Sequence, residues 1–131
     1  MTMSQNPTRF LVILRVPKRT GRYRHMGFFD FIKGPDINQG IQDCQQTSGA
    51  VLLDVRTPQE YAGGHIPGSK SIPLASLTHA GAVTFQKDTP LFVYCYSGGR
   101  SRQAADILKS MGYTNVKNLG GIASYTGEVE K

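Results

Sequence analysis

The run Leu91-Phe92-Val93-Tyr94 passes directly into Cys95-Tyr96-Ser97-Gly98-Gly99-Arg100-Ser101. A segment with apolar residues at Ala104, Ala105, Ile107, Leu108 and Met111 comes next. The first stretch, opened by Pro90, is short and continuously apolar, as in a strand buried on both faces. The last has helical spacing with one buried face and predicts a helix over 102–111, stopped by Gly112. A strand, a glycine loop and a helix in this order constrain the chain to an α/β fold. In such folds ligands sit beyond the carboxyl ends of the strands.

The other elements agree. Asp36 is placed to cap a helix over 37–46. The apolar run 50–55 reads as a second buried strand. Thr57-Pro58-Gln59-Glu60 has the pattern of a capping box with proline in the first turn, predicting a short helix to Ala62. A short strand is expected over 69–72, a helical turn over 73–77, and a last strand over 116–119. Strands alternating with helices imply a mostly parallel sheet.

The chain has 131 residues and a formal net charge of +6. That charge sits at one end. Residues 1–34 carry seven basic side chains against Asp30 alone, whereas 35–131 carry eight of each sign. Residues 1–34 are therefore read as a basic N-terminal extension and 35–131 as one domain. The balanced domain gives no ground for a nucleic-acid partner. Phe10–Leu14 is too short for a secretory apolar region, and no run is long enough to span a membrane. Residues 1–25 are expected to be disordered. Met26 is a plausible alternative start, and a basic binding arm is the competing reading. A cytoplasmic location is the expectation.

Cys95 stands where a strand ends and a helix is about to begin. Loop amides and the helix N-terminus there favour an anion, so the thiol is expected to have a lowered pKa. Gly98 and Gly99 let the backbone curl around one sulfur, and Arg100 adds positive charge at the rim. The alternative is a packed, inert cysteine. Cysteine phosphatases cradle phosphate in a loop with one more residue between Cys and Arg than the four here. The shorter ring suits a terminal sulfur on cysteine. Phosphatase and arsenate reductase chemistry are disfavoured on that ground.

Several motifs together resemble the single-domain rhodanese family of thiosulfate sulfurtransferases. They are Leu53-Asp54-Val55-Arg56, Glu60-Tyr61, Gly64-His65-Ile66-Pro67-Gly68, the Cys95–Ser101 loop and Gly120-Gly121-Ile122. The resemblance covers about 35–128; Tyr125 stands where the family often has Trp. It implies a three-layer α/β/α domain with a roughly five-stranded, mostly parallel sheet. It also implies a sulfurtransferase that carries a persulfide on Cys95. Tyr96, Ser97, Gly98, Gly99, Arg100 and Ser101 would form the substrate-binding loop. Asp54, Arg56 and Glu60 are supporting residues: Asp54 would bond loop amides, and Glu60 would complete the capping box, with Arg100 or Arg56 as an ion-pair partner. His65 is read as structural, and Cys44 as a packed or surface thiol, with a resolving role as the lesser reading. No cofactor and no metal is expected. The expected partners are a small anionic donor such as thiosulfate, a thiol or cyanide acceptor, and a protein sulfur donor or acceptor. The competing function is a persulfide carrier or protein-interaction module without turnover.

Overall fold

Asp36 starts helix α1 (Ile37–Gln46) by accepting from the amides of Asn38 at 3.0 Å and Gln39 at 3.4 Å. The structure is a computed structural model that describes residues 34–131. The expectations for residues 1–25 and Met26 lie outside the described residues. Strand β1 (Val51–Asp54) leads to helix α2 (Pro58–Ala62). The capping box at the start of α2 is present: Thr57 Oγ1 accepts from the Glu60 amide at 3.2 Å, and Glu60 Oε1 accepts from the Thr57 amide at 3.0 Å. Strand β2 (Lys70–Ser71) and a 3₁₀ turn (Leu74–Ser76) come next in the chain. Then come β3 (Leu91–Cys95), α3 (Gly99–Ser110), β4 (Val116–Gly121) and a final 3₁₀ turn (Ile122–Ser124).

The four strands form a parallel sheet in the order β2-β1-β3-β4. Along β3 the side chains alternate between two cores. Leu91, Val93 and Cys95 pack with Ala104, Ala105 and Leu108 of α3. Phe92 and Tyr94 pack with Ile37 and Ile41 of α1. Helices cover both faces, which is why β3 reads as an uninterrupted apolar run. Each fully buried aliphatic side chain here is worth roughly 1.5–3 kcal/mol. Pro35–Lys131 forms one compact unit.

The strand count and two boundaries differ from the sequence-based expectation. The described residues supply four strands, where about five were expected. Val83 and Phe85 reach the core, but their carbonyls accept from Tyr113 Oη, at 3.4 and 3.1 Å, without a strand partner. Helix α3 begins three residues earlier than its apolar spacing indicated. Gly98, at φ +106°, turns the chain straight into the helix, and its carbonyl accepts from the Arg102 amide at 3.1 Å. Arg100 and Ser101 thus belong to the first turn of α3. Strand β4 runs on to Gly120 and Gly121, which pair with Tyr94 and Cys95 beyond a register shift. Glycine carries little strand signal, so this extension is hidden in the sequence.

Gly121 lies directly against the loop after Cys95. A Cβ there would collide with the Tyr96 carbonyl oxygen and lie 2.5 Å from Ser97 Cα. Both are backbone atoms of that loop, and neither can swing aside. Gly121→Ala is expected to lose about 1–3 kcal/mol of stability. Urea denaturation checks this; an unchanged midpoint would contradict it.

Candidate active site

Cys95 ends β3 with only 1% of its surface exposed. Its Sγ accepts from the Gly98 amide at 2.9 Å. Burial pushes the thiol pKa up. Hydrogen bonds from the Ser101 hydroxyl and from the amides of Ser101, Gly98 and Ser97 act the other way and prevail, so the thiol lies below its ordinary value. The N-terminus of the twelve-residue helix α3 adds positive potential at the same point. Tyr96 and Ser97 face outward, Tyr96 with 54% of its surface exposed. The Tyr96 carbonyl is held from behind by the Ala123 amide at 3.0 Å.

The rim is held by two ion pairs. Arg100 grips Glu60 with both terminal nitrogens, Nη1 to Oε1 at 2.7 Å and Nη2 to Oε2 at 3.0 Å. Of the two partners considered for Glu60, the structure selects Arg100. This hydrogen bond, aided by the Thr57 amide, draws the Glu60 carboxyl down to about 2. Glu60 in turn raises the pKa of Arg100, which stays charged. The capping box of α2 and the rim of the Cys95 loop therefore share one carboxylate.

Asp54 and Arg56 form a second, buried pair, with Nη2 to Oδ2 at 2.6 Å. Asp54 Oδ1 also accepts from the Arg56 amide at 2.9 Å, and Arg56 Nη2 reaches the Gly64 carbonyl at 2.8 Å. Burial works against the charge on Arg56, but Asp54 outweighs it and raises the pKa. The pair fastens the β1–α2 loop to the turn at Gly64. Arg56 and Arg100 share the wall of a cavity of about 210 Å³ with Val55, Thr57, Pro73, Leu74 and Ala75.

The structure thus brings Cys95, the loop from Tyr96 to Ser101, and Glu60 together, with Asp54 and Arg56 as a brace at the next strand end. His65 lies outside this group. Its Nδ1 is 2.9 Å from the Tyr61 carbonyl, its ring stacks on Tyr61, and its backbone exchanges hydrogen bonds with Glu130. Cys44 packs into the core on the α1 face of the sheet, opposite the core that holds Cys95. The sheet stands between the two thiols, and burial raises the pKa of Cys44.

Sequence reasoning missed Asn118. Its Oδ1 accepts from the Ser101 hydroxyl at 2.6 Å and from the Gly120 amide at 2.9 Å. The one signal for it was a residue of poor strand propensity inside a predicted strand.

Comparison with known proteins gives the same frame. The pattern of the rhodanese-like domain matches residues 36–128. The chain belongs to the rhodanese family. Among its relatives, the thiosulfate sulfurtransferase PspE of Escherichia coli is 44% identical over 72 residues, 53% of this chain and 68% of PspE. YqhL of Bacillus subtilis is 39% identical over 82 residues, 62% of this chain and 64% of YqhL. The match thus spans about two thirds of either relative. A solved rhodanese from E. coli, determined with anions, superposes with a TM-score of 0.56 at 38% identity, covering 63% of this chain and 98% of its own.

The rhodanese rim can be tested by pH. Glu60→Gln keeps a capping side chain but loses the charge opposite Arg100. Because the folded pKa of Glu60 is lowered, its contribution is complete above the ordinary value of 4.5 and fades as pH falls towards about 2. With the pair partly exposed, the loss at neutral pH should be about 0.5–1 kcal/mol. Urea denaturation of parent and variant should converge between these limits; a gap of constant size would refute the assignment.

Proposed function

We infer that this protein is a sulfurtransferase that moves a sulfane sulfur through a persulfide on Cys95. The observation that carries the reading is one buried sulfur that accepts from the Gly98 amide at the N-terminus of α3. The Gly98 amide lies 2.9 Å from Sγ, and the Ser101 hydroxyl and neighbouring amides lower the thiol pKa. Such donors stabilise negative charge on the sulfur and on a second sulfur bonded to it. The names of the relatives support the same chemistry.

In the first step the Cys95 thiolate attacks the outer sulfur of a donor such as thiosulfate. The sulfur–sulfur bond of the donor breaks, and sulfite leaves with the electron pair. In the second step a nucleophilic acceptor, cyanide in an assay or a thiol, attacks the outer sulfur of the persulfide. The Cys95 thiolate is then released. This is covalent catalysis, with ping-pong kinetics. Arg100 attracts the anionic donor, and Glu60 fixes its direction. A cytoplasmic setting, where thiols stay reduced, suits this chemistry.

A second reading is favoured by Tyr96, a large aromatic exposed beside Cys95. It offers a contact for a protein that delivers or receives the sulfur, with Cys95 as carrier. Sustained turnover with thiosulfate and cyanide supports the enzyme; a single sulfur load without turnover supports the carrier.

Mass spectrometry after thiosulfate treatment is expected to show one added sulfur, confined to the peptide holding Cys95. Cys95→Ser should lose both the added sulfur and the transfer activity. Sulfur found on Cys44, or full activity in Cys95→Ser, would sink the proposal.

A further inference from the structure

The cavity of about 210 Å³ beside Arg100 has no part in the sulfur chemistry described so far. It lies at the carboxyl end of β1, where ligands of parallel sheets collect. Two residues of its wall, Val55 and Leu74, pack in the same core as Cys95. Asp54 pairs with Tyr94 across the sheet, and the Val55 amide donates to the Tyr94 carbonyl at 3.1 Å, so Val55 stands beside Cys95. Arg100 closes the wall from the first turn of α3, the helix whose N-cap amide, that of Gly98, donates to the sulfur.

The wall is fixed, and its charges are already matched. The 3₁₀ turn Leu74–Ser76 is pinned at its start by the Leu74 amide on the Val55 carbonyl at 3.0 Å, and at its end by Leu77, which is fully buried. Thr57 Oγ1 is engaged in the capping box. The Arg56 and Arg100 guanidinium groups each face a carboxylate, so these four charges sum to zero. Val55, Pro73, Leu74 and Ala75 make the remaining surface apolar. Such a space favours an apolar group, and without net positive charge it suits one negative charge better than two.

We propose that the 3₁₀ turn Leu74–Ser76 determines donor specificity, because the cavity it walls receives a short aliphatic group carried on the donor's inner sulfur. The donor class is an alkanethiosulfonate, in which a carbon chain replaces one oxygen of thiosulfate and one of its two negative charges is lost. The inference rests on the reading of Cys95 as the attacking thiolate. The thiolate attacks the outer sulfur, the sulfur–sulfur bond breaks, and its electron pair leaves with the alkanesulfinate. The outer sulfur stays on Cys95 as the persulfide. Arg100 meets the sulfonyl oxygens, and the chain runs along Val55, Leu74 and Ala75. The volume equals about seven water-sized groups of roughly 30 Å³, room for a chain of about four carbons.

The test uses full-length protein carrying Cys44→Ala and the sodium salts of methane-, propane-, butane- and hexanethiosulfonate. Sulfur loading on Cys95 is followed by mass, and each rate is divided by that of the same salt with a free alkanethiol. The rate is expected to rise about fourfold per methylene up to about four carbons and then level off. Ala75→Leu pushes a branched chain into the cavity and should cut the butane-to-methane ratio about tenfold. Leu74→Ala deepens the cavity and should move the limit to longer chains; it carries the test if Ala75→Leu does not fold. Calorimetry of butanesulfonate against methanesulfonate on Cys95→Ser reads the cavity without the chemistry and should show the same preference. A flat series in the parent, or a ratio untouched by both variants, would overturn the proposal. Loading by thiosulfate with a flat series defeats only this inference. No loading from any donor, with butanesulfonate still preferred, defeats only the transfer chemistry.

Discussion

A sulfur with almost no exposed surface, met by fixed hydrogen-bond donors, is the condition around which this domain is arranged. Burial opposes charge on that sulfur, and only donors fixed in place compensate for it. The Gly98 amide is aimed at Sγ by a backbone turn open to glycine. The Ser101 donors come from the first turn of α3. The loop cannot drift away from the sulfur, because the Ala123 amide holds the Tyr96 carbonyl and Gly121 leaves the room for it. The donors thus depend on β3, α3 and β4 meeting at one point. The fold supplies that meeting through parallel pairing and through helices on both faces of the sheet.

The rim obeys a related logic. A guanidinium near the site is useful only if it is held in one direction, and two long flexible side chains lose entropy when they pair. Glu60 is already immobilised by its capping role at α2, so gripping Arg100 costs less additional ordering. Asp54 and Arg56 act at one remove. They hold the β1–α2 loop that carries Thr57, and Thr57 holds Glu60. A chain of hydrogen bonds therefore runs from the end of β1 to the edge of the Cys95 loop.

Much of this was legible in the sequence, for reasons that differ by residue. The strand and loop around Cys95 announced themselves by an apolar run meeting glycines. Thr57-Pro58-Gln59-Glu60 gave the start of α2, because a capping box is a purely local device. Asp36 gave the start of α1 in the same way. The early start of α3 and the glycine end of β4 were hidden, since each depends on a partner segment distant in sequence. The choice of Arg100 over Arg56 as the partner of Glu60 was hidden too; it requires knowing which strand ends lie side by side. Asn118 was missed because its work follows from a register slip that no local pattern encodes.

That slip also bears on what the sheet leaves unpaired. Among the described residues β4 is an outer strand, and an outer strand offers its backbone to any chain that arrives extended. A strand with an extra residue at Leu119, a glycine at φ +96° directly after it, and an exposed lysine at Lys117 makes an irregular template. The opposite edge, β2, is only two residues long. The irregularity that aims Asn118 at Ser101 thus also guards the domain against edge-to-edge association with copies of itself.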